Sequence, residues 1–73
     1  IIYPNPVRNE IWIKSEKEIV DNQNILLEVF DVSGQKVFAS MMDESEKRLD
    51  LSEYQRGIYL IKVGTKTYKI LKQ

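Results

Sequence analysis

The strongest constraint on the fold is an alternation of apolar and polar side chains with a period of two, repeated in short segments along 73 residues. In the last seventeen residues, Gly57 precedes one such segment over residues 58–63, and a second alternating segment runs from residue 67 to the end. Alternation of this kind places successive side chains on opposite faces of a strand. We therefore predict an ordered C-terminal β-hairpin, and it is basic, because no acidic side chain lies among the seventeen residues.

Three further segments are predicted to form strands. Residues 10–14 alternate, so that Ile11 and Ile13 share one face. Residues 25–30 are apolar on both faces, which favours a central strand. Residues 36–41 are predicted to return antiparallel to that central strand.

Turn chemistry separates these strands. Asp31 and Gly34 occupy the first and fourth positions of a predicted type I turn, in which the glycine supplies a positive φ. Ser52 and Gln55 match a capping box, and Gly57 could end the helical turn in a left-handed conformation. Because the segment is so short, we predict a single turn there, not a helix.

The remaining segments are weaker. The prolines in residues 3–6 predict a sheet edge, residues 15–24 predict at best a short charged edge strand, and residues 49–51 return the chain to the core. About six to seven short strands, with turns every 8 to 12 residues, predict an all-β, immunoglobulin-like antiparallel β-sandwich. Residues 1–73 are predicted to form one domain with a marginal core, because so short a chain buries only about 60% of its unfolded surface.

Composition argues against several classes of function. The chain has no His and no Cys, so the commonest general base, metal ligand and thiolate nucleophile are missing. Ser33 and Ser52 are better explained as turn and cap residues, and we predict neither enzymatic activity nor a cofactor. Eleven basic and eleven acidic residues cancel, which argues against nucleic acid as a partner, and no apolar run is long enough for membrane insertion.

An acidic stretch offers the one metal hypothesis. Asp43, Glu44 and Glu46 could supply oxygen ligands to a calcium ion. Their spacing matches no known calcium loop, however, and a solvated acidic loop is the preferred interpretation.

The large aromatic side chains offer a second binding hypothesis. Trp12, Tyr54 and Tyr68 could form a platform for stacking sugars or bases. Packing against the core or a strand face is the preferred interpretation, because a small sandwich needs large side chains to fill it.

Five blocks of sequence, taken together, resemble one known family. Residues 3–7, 29–37, 49–52, 57–63 and 69–72 are similar, in order and spacing, to the C-terminal sorting domain of the type IX secretion system, type A. The resemblance covers nearly the whole chain.

The resemblance implies a function in protein export. Domains of this family are immunoglobulin-like sandwiches at the end of cargo proteins, and their carboxyl end directs passage through an outer-membrane translocon. A sortase then removes the domain and can join the cargo to an anionic lipopolysaccharide. This chain is accordingly expected to be the signal of a larger cargo protein, which is exported to the periplasm and then across the outer membrane to the cell surface or the medium. The chain's natural start and the cleavage site are expected upstream of Ile1.

The resemblance also implies roles for individual residues. Asp31 and Gly34 match the family's turn motif, whereas Tyr54 replaces a more usual Leu and Gln73 follows the lysine at which many members stop. The residues implied to be read by the translocon are Gly57, Ile58, Tyr59, Lys62, Lys69, Ile70, Leu71 and Lys72.

The physical hypothesis for this recognition is docking of the last hairpin. Lys62, Lys66, Lys69 and Lys72 are predicted to lie on its exposed face, near unpaired strand edges, where strand addition and charge complementarity could act. Two alternatives stay open, namely an immunoglobulin-like adhesive or carbohydrate-binding module and a structural spacer that stabilises the preceding domain.

Overall fold

The described part of the chain forms two antiparallel sheets. The computed structural model describes residues 1–14, 25–42 and 45–73, and the predicted all-β sandwich is confirmed. These residues contain no helix, and therefore none that could span a membrane. The strands are β1 (Ile2–Tyr3), β2 (Glu10–Lys14), β3 (Ile25–Asp31), β4 (Lys36–Met42), β5 (Glu46–Asp50), β6 (Gly57–Val63) and β7 (Lys66–Lys72).

One sheet has three strands and the other has four. One has the order β1-β2-β5 and the other the order β4-β3-β6-β7. Strand β3 is flanked on both sides, as predicted, and β4 returns antiparallel to it with a bulge opposite Val29 and Phe30. Strand β4 thus lies in the sheet of β3, which differs from the division of strands in immunoglobulin constant domains. The immunoglobulin-like label stays a prediction.

The core fills the space between the two sheets. Ile11 and Ile13 of β2 are fully buried, and so are Leu27 and Val29 of β3, as the alternation predicts. Burying such a side chain stabilises a fold by about 1.5 to 3 kcal/mol. The buried apolar residues are Val7, Ile11, Ile13, Leu27, Val29, Met42, Leu49, Leu51, Tyr59, Ile61 and Ile70.

The acidic stretch ends in a strand. Glu46 is the first residue of β5, which pairs with β2 and brings Leu49 opposite Ile11. The interpretation of Glu46 as part of a solvated acidic loop is therefore wrong, because the buried Leu49 draws its strand into the sheet. Asp43 and Glu44 lie outside the described residues, as does the edge strand predicted over residues 15–24.

The turn after β5 is stabilised by an aspartate, which corrects the predicted capping box. The Ser52 amide donates to Asp50 Oδ1 at 2.9 Å, and the Tyr54 amide donates to the Leu51 carbonyl at 2.9 Å. Hydrogen bonds with the backbone and the side chain of Ser52 lower the pKa of the Asp50 carboxyl. An aspartate commonly accepts from the amide two residues on, so Asp50 takes the role that we assigned to Ser52. The predicted single turn is present.

Candidate functional site

The terminal hairpin pairs along its whole length. Strands β6 and β7 are in register from Gly57 opposite Lys72 to Val63 opposite Lys66, and residues 64–65 form the turn. Gly57 has a φ of +145°, which other residues rarely adopt, although a Cβ there would meet no atom within 4 Å. Backbone conformation, not a lack of space, therefore explains the glycine.

Half of the hairpin's side chains face inward. Tyr59 and Ile70 are in the core, and Lys72 on the same face is only 7% exposed. The Lys72 Nζ donates to the carbonyl of Gln73 at 2.8 Å. Lys66 is exposed but shares this alternation with Lys72. The prediction that all four hairpin lysines occupy the outer face is thus wrong for Lys66 and Lys72, because both alternate in step with Ile70.

The other half of the side chains lie on the outer face of the sheet. Phe30 of β3 lies opposite Leu60 of β6, and Ile58 of β6 lies opposite Leu71 of β7. Phe30 is half-buried, and the other three are exposed. Because they lie on three adjacent strands, these side chains form one apolar surface, which we term the outer cluster: Phe30, Ile58, Leu60 and Leu71.

Lysines border the outer cluster. Lys69 lies opposite Leu60, and Lys62 lies opposite Glu28 on the same face. The Glu28 carboxylate, whose side chain is 13% exposed, already forms an ion pair of 3.0 Å with Lys36. Neither Lys62 nor Lys69 forms an ion pair among residues 1–14, 25–42 and 45–73. The outer face therefore carries an excess of positive charge.

The free edge of β7 is covered at its C-terminal end. The Val7 amide donates to the Leu71 carbonyl at 2.8 Å, and the Gln73 amide donates to the Val7 carbonyl at 2.7 Å. The Asn5 side chain accepts from the Leu71 amide at 3.0 Å and donates to the Lys69 carbonyl at 3.2 Å. The predicted unpaired edge is therefore absent here, because the N-terminal segment occupies the position of a neighbouring strand.

A groove opens next to the outer cluster. It has a volume of about 450 Å³, and Val37, Tyr54 and Ile58 are among the residues that line it. Tyr54 packs edge-on against Tyr59, with ring centroids 5.5 Å apart, and partial burial raises the pKa of the Tyr54 hydroxyl. The Tyr59 hydroxyl donates to the Gln55 carbonyl at 2.7 Å, so these aromatic rings are held as part of the fold.

The predicted turn connects β3 to β4, with Asp31 as the last residue of β3 and Gly34 in the turn itself. Asp31 Oδ1 accepts from the Ser33 hydroxyl at 2.6 Å, from the Ser33 amide at 2.9 Å and from the Gln35 amide at 3.0 Å. The hydrogen bond from the Ser33 hydroxyl contributes most to lowering the pKa of the Asp31 carboxyl. Gly34 has a φ of +89°, the positive value that this turn requires. The arrangement explains Ser33 as a turn residue.

The other candidate residues are not brought together. Trp12 lies on the outer face of the three-stranded sheet, opposite Tyr3 and Arg48. Tyr54 packs on Tyr59, and Tyr68 lies on the inward side of β7. The single platform hypothesised for Trp12, Tyr54 and Tyr68 is therefore wrong. The described ranges hold no group of three or more acidic side chains that could bind a metal ion.

These features define a small antiparallel β-sandwich module whose terminal hairpin separates a core face from an exposed, basic and apolar face. A family model described as "Secretion system C-terminal sorting domain" matches residues 1–73, and the chain belongs to this family. It is thus a type IX sorting signal, which serves export across the outer membrane toward the cell surface or the medium. Such a signal interacts with the secretion machinery and accompanies a cargo. Comparison with curated proteins finds no match.

Two solved structures share the fold. A single mutant of the thermostable endoglucanase from Alicyclobacillus acidocaldarius is 20% identical, with a TM-score of 0.60. AaCel9A in complex with cellobiose-like isofagomine is 21% identical, with a TM-score of 0.58. Each alignment covers 99% of this chain but only 14% of the other. At these identities the similarity shows the fold alone.

Proposed function

We propose that this chain is the part of a cargo protein that an outer-membrane translocon recognises after the cargo has reached the periplasm. A sortase then removes the chain, and the cargo is either attached to the cell surface or released. In this proposal the chain binds and is cleaved off, and it catalyses nothing itself, which is consistent with its lack of His and Cys.

The observation that carries the proposal is the division of the terminal hairpin into two faces. One face supplies Tyr59, Ile61 and Ile70 to the core, which holds the hairpin in one rigid shape. The other face presents Ile58 and Leu71 outside the core, beside Lys62 and Lys69, which form no ion pair with the residues that the structure describes. A rigid surface of this kind loses little conformational entropy when it binds. It therefore suits recognition by the export machinery.

A reporter fusion tests the proposal. The full chain, together with the cargo residues directly upstream of Ile1 where cleavage is expected, is joined to the carboxyl end of a periplasm-compatible reporter, and the fusion is expressed with and without a functional type IX system. We expect the reporter outside the cell only when the system is present. Retention of a folded fusion in the periplasm of the competent strain would contradict the proposal.

The sortase step has its own measurement. The exported reporter is isolated and its mass determined, and we expect a product that lacks residues 1–73. An exported product that keeps the whole chain would contradict removal while leaving export itself supported. Recovery of the reporter from the medium or from the cell envelope distinguishes release from attachment.

One observation favours the adhesive or sugar-binding alternative. Tyr3 and Trp12 are opposite each other on β1 and β2, and both are exposed on the outer face of the three-stranded sheet. Adjacent exposed aromatic rings can stack on a sugar. Glycan-array binding that is lost in the Trp12→Ala variant, without loss of stability, would support this second function.

A further inference from the structure

We propose that the outer cluster is the docking surface for a protein of the export machinery, and that this partner presents an apolar surface bordered by carboxylates. The inference rests on the proposed function and names the face that recognition uses. Its evidence is the position of the apolar side chains, their charged border and the covered edge of β7.

The apolar side chains of the outer cluster do not contribute to the core between the sheets. Leu60 and Leu71 are 37% and 43% exposed, although the opposite faces of their strands already supply Ile61 and Ile70 to the sandwich interior. Exposed apolar residues scattered singly need no explanation, but contiguous ones on adjacent strands indicate an interaction surface. This group spans β3, β6 and β7 and continues into the groove beside Ile58.

The charges beside the outer cluster select the chemistry of the partner. Glu28 is neutralised by Lys36, which leaves Lys62 and Lys69 without an ion pair in the described ranges. Carboxylates on a partner would complement these two lysines and fix its orientation. A second copy of this chain fits poorly, because a two-fold interface on this face would repeat the same positive charges without adding a free acid.

The location of the outer cluster favours a protein over a membrane. A row that includes Glu28, Lys62 and Thr67 crosses the sheet beside it and separates the outer cluster from the exposed pair Leu26 and Met41 at the other end of the face. The chain as a whole has no net charge, which gives little long-range attraction to an anionic bilayer. Strand addition is blocked at this end of β7 by Asn5 and Val7, so a partner that docks at this end of the hairpin would bind its side-chain face.

Paired variants test the surface. Leu71→Ser removes an apolar side chain of the outer cluster, and Leu26→Ser is its control, because Leu26 is 44% exposed on the same sheet but lies opposite Met41, away from the cluster. Lys69→Glu reverses a bordering charge, and Lys14→Glu is its control, because Lys14 is exposed at the end of β2 in the other sheet.

Export of the reporter fusion is then measured for each variant. We expect Leu71→Ser and Lys69→Glu each to reduce the exported fraction by about tenfold, the effect of losing one interface contact worth about 1.4 kcal/mol. The two controls should remain within about twofold of the parent. Circular dichroism melts of the purified chains establish that all four variants are folded.

The outcomes separate the inference from the proposed function. If the unmodified fusion is not exported, the proposed function fails. If it is exported and the outer-cluster variants are exported equally well, this inference fails and the proposed function stands. Two results would contradict a partner from the export machinery. Lysine-dependent binding to phosphatidylglycerol vesicles would indicate a membrane, and a dimer in sedimentation that Leu71→Ser dissociates would indicate a second copy of this chain.

Discussion

The Asn5 side chain takes the place of a strand next to β7, and its removal should destabilise the C-terminal end of β7. Its amide oxygen accepts from the Leu71 amide at 3.0 Å, and its amide nitrogen donates to the Lys69 carbonyl at 3.2 Å. The pair reproduces the two hydrogen bonds that a neighbouring strand would make. In the Asn5→Ala variant, both β7 groups would have to bond to water.

The size of the effect follows from the exposure of the site. A typical hydrogen bond contributes a net 0.5 to 1.5 kcal/mol, and the low end applies where water can replace it, so two bonds are worth about 1 kcal/mol here. In a domain of this size, about 1 kcal/mol lowers the melting temperature by about 4 to 8 °C. Asn5→Asp keeps the acceptor and loses the donor, so we expect about half of this loss or more, because a carboxylate would face the Lys69 carbonyl.

Thermal and urea unfolding of the purified chain, followed by circular dichroism, measures the change. Asn9→Ala is the matched control, because Asn9 is exposed in the same segment and its side chain makes no hydrogen bond with the described residues. We expect this control to change stability by less than about 0.5 kcal/mol. Equal stability of Asn5→Ala and Asn9→Ala would refute the reasoning, because the Asn5 amide would then contribute nothing to the β7 edge.

Three further changes test the turns and the core. Hydrogen bonds lower the pKa of Asp31, so its stabilising contribution is present at neutral pH and is lost as the pH falls through the lowered pKa. An Asp31→Asn variant should therefore melt below the parent at pH 7 and approach it in acid, and a constant difference in melting temperature would contradict this. Gly57→Ala should cost about 1 to 3 kcal/mol in urea unfolding, because alanine must adopt a strained φ. Tyr59→Phe should cost about 1 kcal/mol by losing the hydrogen bond to Gln55, whereas an unchanged midpoint would assign that bond no net value.

The alternation of apolar and polar residues correctly predicted which faces of three strands are buried. The buried faces of β2, β3 and β6 agree with the sequence pattern because side chains on a strand alternate strictly, and one face of each of these strands meets the other sheet. The same rule already placed Lys72 in step with Ile70. We nevertheless predicted an exposed Lys72, because a lysine is charged. A long lysine stem can lie along an apolar surface while its ammonium reaches a polar partner, here the Gln73 carbonyl.

The coverage of the β7 edge could not be predicted from local pattern. Asn5 lies 64 residues from Lys69 and 66 from Leu71, and nothing in the composition of residues 3–6 indicates which strand they would adjoin. The prolines indicated an edge, but an edge can be exposed or can cover another strand. Likewise, Asp50 and Ser52 are both good turn residues, and only the positions of the amides decide between them.

The division of the hairpin into two faces changes how mutations in the signal should be interpreted. Truncating Tyr59 or Ile70 removes core packing, so loss of export in such a variant would report unfolding as readily as lost recognition. Variants at Ile58 or Leu71 leave the core intact and can report recognition alone. Deletion of the last residues is the least informative experiment, because it removes Ile70, the outer-face Leu71 and the edge contact with Val7 together. If the outer face is recognised as we propose, the terminal hairpin must supply both a folded strand and a surface for binding, and only single substitutions chosen by face can separate the two requirements.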